Sequence, residues 1–178
     1  MARRAVFVDR DGTVIWDAGY PRDPADVAVI PGAVDALAEL ARRGFAVVVV
    51  SNQSGIGRGL VTPEQADAVH DRFVAVLQDL GVRIDGAYYC PHAPDEGCSC
   101  RKPSPELVFR AAEDLGLDVA ASFMVGDKPV DVETGGRAGC TTILLALRGD
   151  PGSHDADHVA RSWEDVTAAI LRPEVGAA

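Results

Sequence analysis

Five short apolar runs alternate with longer segments of helical periodicity, and this alternation constrains the fold more than any other feature of the chain. The runs are "AVFV" at 5–8, "AVVVV" at 46–50, "GAYYC" at 86–90, "SFMV" at 122–125 and "TTILL" at 141–145. Helices are predicted between or after them at 33–43, 63–80, 105–115, 130–138 and 163–171. Strands that alternate with helices usually pair in parallel. The pattern therefore predicts an α/β fold with a Rossmann-like, mainly parallel sheet and helices on both faces.

Length and charge narrow the class of protein. The chain has 178 residues, enough for one domain with its own core, and a formal net charge of −10. A charge of this sign argues against nucleic acid and anionic membranes as partners. No run approaches the roughly 18 apolar residues that span a bilayer, and the start "MARRAVFVDRDG" lacks the apolar segment of a secretion signal. We therefore expect a cytoplasmic monomer without disulfides, organised as a single domain over 1–178.

Acidic residues stand where two of the predicted strands end. Asp9 and Asp11 follow the first strand, and Asp127 and Asp131 follow the fourth. Two carboxylates as close as Asp9 and Asp11 repel each other unless a cation or a proton lies between them. A solvated acidic turn would explain the first pair alone, since such pairs are common in loops. The second acidic cluster favours Mg²⁺, because oxygen ligands from two strand ends suit this ion.

Lysine is rare in this chain, and the position of each lysine is informative. Lys128 directly follows Asp127, and Lys102 follows a cysteine-rich segment at 90–100. Of 17 basic residues only Lys102 and Lys128 are lysines. Taken singly, Lys102 could be an ordinary surface residue, and Ser51, which follows the second strand, could cap a turn. Together a hydroxyl, an ammonium and a magnesium ion would surround a phosphoryl group. The strand ends are therefore predicted to bind phosphate.

Three of the four cysteines and one histidine lie in the segment "CPHAPDEGCSC". The pattern Cys90-x-His92-x5-Cys98-x-Cys100 supplies three thiolates and an imidazole, which suit tetrahedral Zn²⁺. A redox pair is the main rival, although C-S-C differs from the C-x-x-C of thioredoxin-like proteins. Buried structural thiols are a further alternative, but they fit poorly in a segment rich in Pro, Asp, Glu and Gly. The remaining cysteine, Cys140, is interpreted as a small core residue.

Four motifs in order resemble those of the haloacid dehalogenase-type phosphatases: "DRDGT", "SNQSG", "RKP" and "GDKPVD", over about residues 5–145. The resemblance implies that Asp9 is the nucleophile of an aspartyl-phosphate mechanism and that Asp11 acts as the general acid and then the general base. Ser51 and Lys102 would hold the phosphoryl oxygens. Asp9, the backbone carbonyl of Asp11 and Asp127 would bind Mg²⁺, with Asp131 accepting hydrogen bonds outside the metal's own ligands.

The cysteine segment and the "RKP" after it resemble one branch of that family, the capless histidinol-phosphate and heptose-bisphosphate phosphatases. In this branch a zinc ion holds such a loop in a fixed conformation. The resemblance therefore implies a zinc-binding loop at 90–100, which would position Arg101 and Lys102 to contact phosphate. The intervals before and after Ser51 are 40 positions (51 − 11) and 51 positions (102 − 51), too short for a separate cap domain. We therefore expect a capless phosphatase domain in which loops define the substrate.

The loops at 16–32 and 51–62 resemble those of the D-glycero-D-manno-heptose 1,7-bisphosphate 7-phosphatases more than those of the histidinol phosphatases. The implied substrate is a small phosphorylated sugar. Its pocket would be lined by two short segments and three further basic residues, namely Asp17, Ala18, Gly19, Tyr20, Ser51, Asn52, Gln53, Ser54, Arg58, Arg101 and Lys128, with Lys102 on the reacting phosphate.

Other functions remain open at this point. Histidinol-phosphate or another small sugar phosphate could be the substrate, and the chain could be a phosphomutase or a non-catalytic zinc module that binds phosphosugars. The "GIGRG" run lacks the G-x-G-x-x-G spacing of a dinucleotide site.

Overall fold

The computed structural model describes residues 2–149 and 154–172, and its strands form one six-stranded sheet. The strands are β1 (Ala5–Val8), β2 (Ala46–Asn52), β3 (Gly86–Cys90), β4 (Phe123–Gly126), β5 (Thr141–Leu145) and β6 (His158–Ala160). Their spatial order is β3-β2-β1-β4-β5-β6, and every pairing between them is parallel. The predicted α/β fold with a Rossmann-like parallel sheet is confirmed.

Helices cover both faces of this sheet. They are α1 (Ala33–Arg42), α2 (Ser54–Gly57), α3 (Pro63–Asp79), α4 (Glu106–Leu115), α5 (Pro129–Ala138) and α6 (Trp163–Ile170), with a short 3-10 helix at Pro24–Asp26. Helices α1, α3 and α6 pack on one face, where their apolar side chains join one core cluster. Helices α4 and α5 lie on the other face, over a second cluster. All five predicted long helices are present, with ends within one residue of the predicted bounds.

Alternate residues of each strand supply the two clusters. In β1, Val6 and Val8 face the first cluster, whereas Ala5 and Phe7 face the second. Side chains on a strand alternate between faces, so a strand buried on both faces is apolar throughout its length. This explains why the runs at 5–8 and 46–50 are continuous rather than alternating.

The parallel register brings the carboxyl ends of the central strands to one edge of the sheet. Val8 of β1 pairs with Val49 of β2 on one side and with Val125 of β4 on the other. The chain therefore leaves β1, β2 and β4 at the same edge, and the residues that follow these pairs are neighbours. The functional site is built at this edge.

Strand β6 and helix α2 were not predicted from the sequence. Strand β6 has three residues, and its start is fixed by Asp157, whose carboxylate accepts hydrogen bonds of 2.8 Å from the backbone and the hydroxyl of Thr142 at the start of β5. Helix α2 is a single turn within the glycine-rich run. Both elements are held by tertiary contacts rather than by periodicity, which is why the pattern gives no signal for them.

The segments that follow β1 and β2 contain no second sheet among the described residues. Besides β2, the chain between β1 and β3 forms the 3-10 helix, helices α1, α2 and α3, and isolated bridges such as Ile15 with Val29. This agrees with the expected capless fold. Within 2–149 and 154–172, no helix combines the length and the apolar character needed to cross a bilayer.

Candidate active site

The turn after β1 places two carboxylates beside a third from β4. The backbone N–H of Asp9 donates to the Val125 carbonyl (3.0 Å), which fixes the exit from β1 against β4. Gly12 has a φ of +88°, and a Cβ there would lie 2.3 Å from an Asp127 oxygen. Only glycine fits, because both the left-handed backbone and the close approach exclude a side chain. The glycine of "DRDGT" therefore lets Asp127 reach the turn.

Asp9, Lys102 and Asp131 form a buried charged cluster at the centre of the site. Their exposed fractions are 5%, 3% and 1%. The Lys102 ammonium lies 2.9 Å from Asp9 Oδ1 and donates a short hydrogen bond to Asp131 Oδ1. The contact with Asp9 is ionic without the alignment of a hydrogen bond, so Asp9 Oδ1 is a buried side-chain oxygen without a hydrogen-bond partner among the described residues.

The pKa values in this cluster follow from burial and the shared ammonium. Burial raises the pKa of the Asp9 carboxyl, but the Lys102 ammonium, the Ser51 hydroxyl and the Lys128 ammonium together outweigh burial, and the pKa lies below its ordinary value. Burial lowers the pKa of Lys102, but the Asp131 and Asp9 carboxylates reverse this and raise it above its ordinary value. Burial raises the pKa of Asp131 to about 6. One ammonium therefore serves two carboxylates, and Asp9 is the better stabilised as an anion.

Asp9, Asp127 and Asp131 could together hold a hard cation. One carboxylate oxygen from each lies within 4.8 Å of the others. The Thr13 hydroxyl donates to Asp127 Oδ1 (3.3 Å), and Asp127 Oδ2 lies 3.9 Å from the Lys128 ammonium. Carboxylate oxygens from two strand ends match the donor set of Mg²⁺. Asp9 Oδ1 has an ion pair with Lys102 but no hydrogen bond within the described residues. Asp131 is engaged by the Lys102 ammonium and by the Lys128 backbone N–H, so Asp9 and Asp127 are the freer ligands.

The end of β2 fixes the backbone and the side chain of Lys102. The Asn52 side chain accepts from the Lys102 N–H (3.0 Å) and donates to the Lys102 carbonyl (3.3 Å). The ammonium also donates to the Val50 carbonyl (3.0 Å). The buried ammonium therefore donates two hydrogen bonds, and its third contact is the ion pair with Asp9.

Asp11 is held by a network that includes Arg10 and Gln53. Its carboxylate accepts from Arg10 Nε (3.1 Å) and from the Gln53 amide (2.8 Å), and the same amide donates to the Ser51 hydroxyl (3.1 Å). Burial raises the pKa of the Asp11 carboxyl, with the Arg10 guanidinium opposing this and Asp9 adding to it; the net pKa lies above its ordinary value. A carboxyl with a raised pKa is suited to donate a proton.

The cysteine and histidine side chains converge at the end of β3. The sulfurs of Cys90 and Cys98 are 3.6 Å apart and those of Cys98 and Cys100 are 3.7 Å apart; His92 Nδ1 lies 3.6 Å from Cys90 Sγ and 3.3 Å from Cys100 Sγ. A tetrahedral zinc ion with Zn–S bonds of about 2.3 Å would separate its sulfur ligands by about 3.8 Å. The four side chains therefore fit zinc. The cysteines are free thiols, at separations well beyond a disulfide bond.

Helix α2 packs directly against this cysteine loop. The Gly57 N–H donates to the Pro91 carbonyl (2.8 Å), and a Cβ on Gly57 would lie 2.4 Å from the Ala93 backbone nitrogen. Arg101 in turn donates to the His92 carbonyl (3.3 Å). The loop that carries the cysteines therefore also positions the arginine that precedes Lys102.

A cavity of about 370 Å³ opens above the charged cluster. It brings together most of the residues predicted to contact substrate, namely Asp9, Asp11, Asp17, Gly19, Tyr20, Asn52, Gln53, Ser54, Arg101, Lys102 and Lys128. Ser51 is buried beneath it, and Asp127 lines a neighbouring cavity on the far side of the Lys128–Asp17 ion pair. Ala18 and Arg58 are not brought to its wall; Arg58 lies instead in a shallow depression beside Ala93.

Sequence reasoning missed residues that act through tertiary contacts. Arg10 is buried, yet its position in "DRDGT" did not predict a role for it. Trp163 of α6 donates from Nε1 to the Thr13 carbonyl (2.9 Å) and anchors the turn that carries Asp9 and Asp11. Gly126 allows Asp131 to pack on β4, because a Cβ there would lie 2.2 Å from the Asp131 Cβ. The only available signal was the position of Arg10 and Gly126 inside two of the motifs.

Comparisons with known proteins agree with this geometry. A family model described as HAD-hydrolase-like matches residues 99–170. A D-glycero-beta-D-manno-heptose-1,7-bisphosphate 7-phosphatase from Yersinia pestis is 43% identical over 177 residues, covering 93% of this chain and 94% of the relative. A phosphatase of the same name from Escherichia coli (strain K12) is 40% identical over 181 residues, covering 96% of this chain and 95% of the relative.

Solved structures give a similar result. The D,D-heptose 1,7-bisphosphate phosphatase from B. bronchiseptica, complexed with magnesium and phosphate, superposes with a TM-score of 0.85 at 31% identity and covers 94% of this chain and 98% of its own. A putative HAD-like phosphatase from Mesorhizobium loti superposes with a TM-score of 0.81 at 34% identity and covers 95% of this chain and 86% of its own.

Proposed function

The chain belongs to the heptose 1,7-bisphosphate 7-phosphatases among the haloacid dehalogenase-like hydrolases, and from this premise we propose that it hydrolyses the 7-phosphate of D-glycero-D-manno-heptose 1,7-bisphosphate. It is a phosphoric monoester hydrolase. The curated relatives are named for the β anomer, and we extend that preference to this chain as part of the proposal.

The first half of the reaction transfers the phosphoryl group to the protein. A carboxylate oxygen of Asp9 attacks phosphorus, and the bond between phosphorus and the C7 oxygen breaks. Asp11 gives its proton to that leaving oxygen, so the sugar departs as an alcohol. The lowered pKa of Asp9 and the raised pKa of Asp11 support this division of roles, since one group must be an anion and the other an acid.

The second half of the reaction restores the nucleophile. Asp11, now ionised, takes a proton from a water molecule whose oxygen attacks phosphorus, and the bond from phosphorus to Asp9 breaks to release inorganic phosphate. The Lys102 ammonium and the Ser51 hydroxyl would hold the phosphoryl oxygens through both halves. Their burial next to Asp9 supports this role, because fixed donors in a site of low dielectric act strongly on developing charge.

We propose that Asp9, the Asp11 backbone carbonyl and Asp127 hold Mg²⁺. When bound, the ion would neutralise charge on the phosphoryl oxygens and on the Asp9 carboxylate. The clustering of Asp9 with Asp127 supports this assignment, as does the Asp9 oxygen that accepts no hydrogen bond from any described residue.

We propose that Cys90, His92, Cys98 and Cys100 hold zinc in a structural role. The loop between β3 and α4 has few apolar side chains, so a metal would fix its shape and with it the positions of Arg101 and Lys102. The spacing of the four donor atoms supports this, as does the hydrogen bond from Arg101 to the His92 carbonyl.

The sugar and its second phosphate would occupy the cavity above Asp9. Arg101 and Lys128 are the basic residues on its wall besides Lys102, and Tyr20 contributes an aromatic surface. We assign Arg101 to the distal phosphate, because a guanidinium can bind phosphate through two parallel hydrogen bonds. We also propose that the chain acts as a cytoplasmic monomer formed by one domain over 1–178.

The observation that carries the proposal is a buried Asp9 oxygen on the wall of a polar cavity, beside the Lys102 ammonium and without a hydrogen-bond partner in the described part of the chain. Its test is phosphate release with Mg²⁺ from a panel of heptose 1,7-bisphosphate, histidinol phosphate and fructose 1,6-bisphosphate. We expect kcat/KM to be highest for the heptose bisphosphate by at least about tenfold. Equal or higher kcat/KM for histidinol phosphate would contradict the assigned substrate.

A further inference from the structure

Arg10 is a buried cation that the proposed mechanism does not use. It lies between Asp9 and Asp11, and the residue is only 2% exposed. Burying a guanidinium costs free energy unless its donors are engaged, so its partners indicate what it does.

The Arg10 guanidinium contacts Asp11 and Gln53 together. Nε donates to Asp11 Oδ2 (3.1 Å), while Nη2 donates to Asp11 Oδ1 (3.3 Å) and to Gln53 Oε1 (2.9 Å). Both carboxylate oxygens of Asp11 are thus held by one planar group. An ammonium could neutralise the same charge, but it could not make this forked contact.

Arg10 also determines which way the Gln53 amide points. Arginine has donors but no acceptor, so the Gln53 carbonyl oxygen must face it. The Gln53 NH₂ group is then directed to Asp11 Oδ2 (2.8 Å) and to the Ser51 hydroxyl (3.1 Å). One guanidinium therefore sets the positions of the proposed acid and of a proposed phosphate ligand.

The ring of Tyr89 on β3, the strand beyond β2 from β1, supports Arg10. The guanidinium carbon lies 5.6 Å from the ring centroid, within the range of a cation–π interaction. The Tyr89 hydroxyl lies 2.7 Å from His70 Nδ1 on α3, which fixes the ring between the helix and the sheet. The support therefore comes from side chains that line no part of the substrate cavity.

We propose that Arg10 is a positioning residue that holds the Asp11 carboxyl and, through Gln53, the Ser51 hydroxyl in place for phosphoryl transfer, and that the Tyr89 ring holds Arg10. This inference rests on the proposed phosphatase function and extends it to residues that do not touch the reacting phosphate.

The direct test is Arg10→Lys, which keeps the positive charge and removes the fork. We expect kcat for the heptose bisphosphate to fall about ten- to a hundredfold, part of what a misplaced acid and base can cost, with KM within about threefold of the wild type. A purely structural role would reduce kcat only in proportion to the loss of folded enzyme, as measured by circular dichroism and active-site titration.

Tyr89→Leu tests the support without altering Arg10, and Tyr88→Leu is its matched control. Tyr88 precedes Tyr89 on β3 and faces the opposite side of the sheet. Its hydroxyl donates a hydrogen bond to Asp114 on α4 (3.0 Å). We expect Tyr89→Leu to lower kcat about three- to tenfold and Tyr88→Leu to leave it within about twofold.

The outcomes separate this inference from the proposed function. If wild-type enzyme releases no phosphate from the heptose bisphosphate, the proposed function fails. If the wild type is active and folded Arg10→Lys keeps its kcat, the positioning role is wrong. If Arg10→Lys does not fold, equal kcat in Tyr89→Leu and Tyr88→Leu would overturn the inference, and a selective loss in Tyr89→Leu would support it.

Discussion

At the scale of single residues, the site depends on one ammonium shared by two buried carboxylates. Lys102 is in contact with Asp9 and Asp131, and all three are almost fully removed from solvent. Removing one partner from such a cluster leaves uncompensated buried charge, which is more costly than removing the pair. The same ammonium is the proposed ligand of the reacting phosphoryl group. Its loss should therefore affect stability and activity in separable ways.

Replacing Lys102 with Met keeps most of the side-chain volume and removes the charge. We expect the free energy of unfolding to fall by about 3–5 kcal/mol without added metal, as for other broken buried ion pairs. Adding Asp131→Asn should restore part of this stability, because it removes one of the two opposed carboxylates. We expect phosphate release to remain at least about a hundredfold below wild type in both variants. Denaturant unfolding and phosphate assays provide the measurements, and a double variant no more stable than the single would contradict this account.

The sequence allowed the residues at the strand ends to be predicted, but not those that hold them. Asp9, Ser51 and Asp127 follow continuous apolar strands, and parallel strands necessarily end at one edge. Arg10 and Trp163 escaped prediction because their roles depend on contacts between residues distant in the chain, such as Trp163 with Thr13 across 150 positions. Arg58, predicted to contact substrate, lies away from the cavity wall and beside Ala93 of the cysteine loop, so its role stays a prediction.

At the scale of elements, the loop between β3 and α4 links the cluster of three cysteines and a histidine to Lys102 in the candidate active site. Its four candidate ligands converge at the end of β3. Two backbone hydrogen bonds attach the loop to the residues after β2: Gln53 N–H donates to the Cys90 carbonyl (2.7 Å), and Gly57 N–H of α2 donates to the Pro91 carbonyl (2.8 Å). The loop contains Lys102, so its shape fixes the backbone of that residue. The spacing of cysteines and histidine predicted the cluster, whereas its close packing on α2 could not be predicted, since α2 is itself a single turn without periodicity.

The zinc content of the purified protein and a cysteine substitution test the role of this loop. We expect one zinc per chain in the purified protein, and Cys100→Ser should lower that stoichiometry and reduce kcat/KM about tenfold or more by releasing Arg101 and Lys102. Cys140→Ala, whose thiol lies outside the cluster, should retain full zinc content. Elemental analysis and thiol titration measure both. A zinc-free wild type with reactive native thiols would favour the redox interpretation.

At the scale of the whole molecule, the proposed substrate would bring an anion at each end to a chain of net charge −10. The long-range field opposes the encounter, so recognition depends on cations concentrated at the carboxyl edge of the sheet. Arg101, Lys102 and Lys128 on the cavity wall supply them. The parallel sheet makes this possible, because it gathers loops from distant parts of the chain around one cavity.

Arg101→Ala tests how the distal phosphate is recognised. We expect kcat/KM for heptose 1,7-bisphosphate to fall about ten- to a hundredfold, the effect of one hydrogen-bonded charged contact, and that for heptose 7-phosphate to change little. Arg72→Ala, an exposed arginine on α3, controls for the change in net charge and should affect neither substrate. An equal loss on both substrates would mean that Arg101 does not bind the second phosphate.

Phosphorus NMR of the product formed from D-glycero-D-manno-heptose 1,7-bisphosphate tests the central claim most directly, because the C1 and C7 phosphates give separate signals. With wild-type protein and Mg²⁺, we predict that the C7 signal is replaced by inorganic phosphate while the C1 signal remains. Folded Asp9→Asn should leave both signals unchanged over the same period, since it lacks the attacking oxygen. Loss of the C1 phosphate, or turnover by Asp9→Asn close to that of the wild type, would contradict the account.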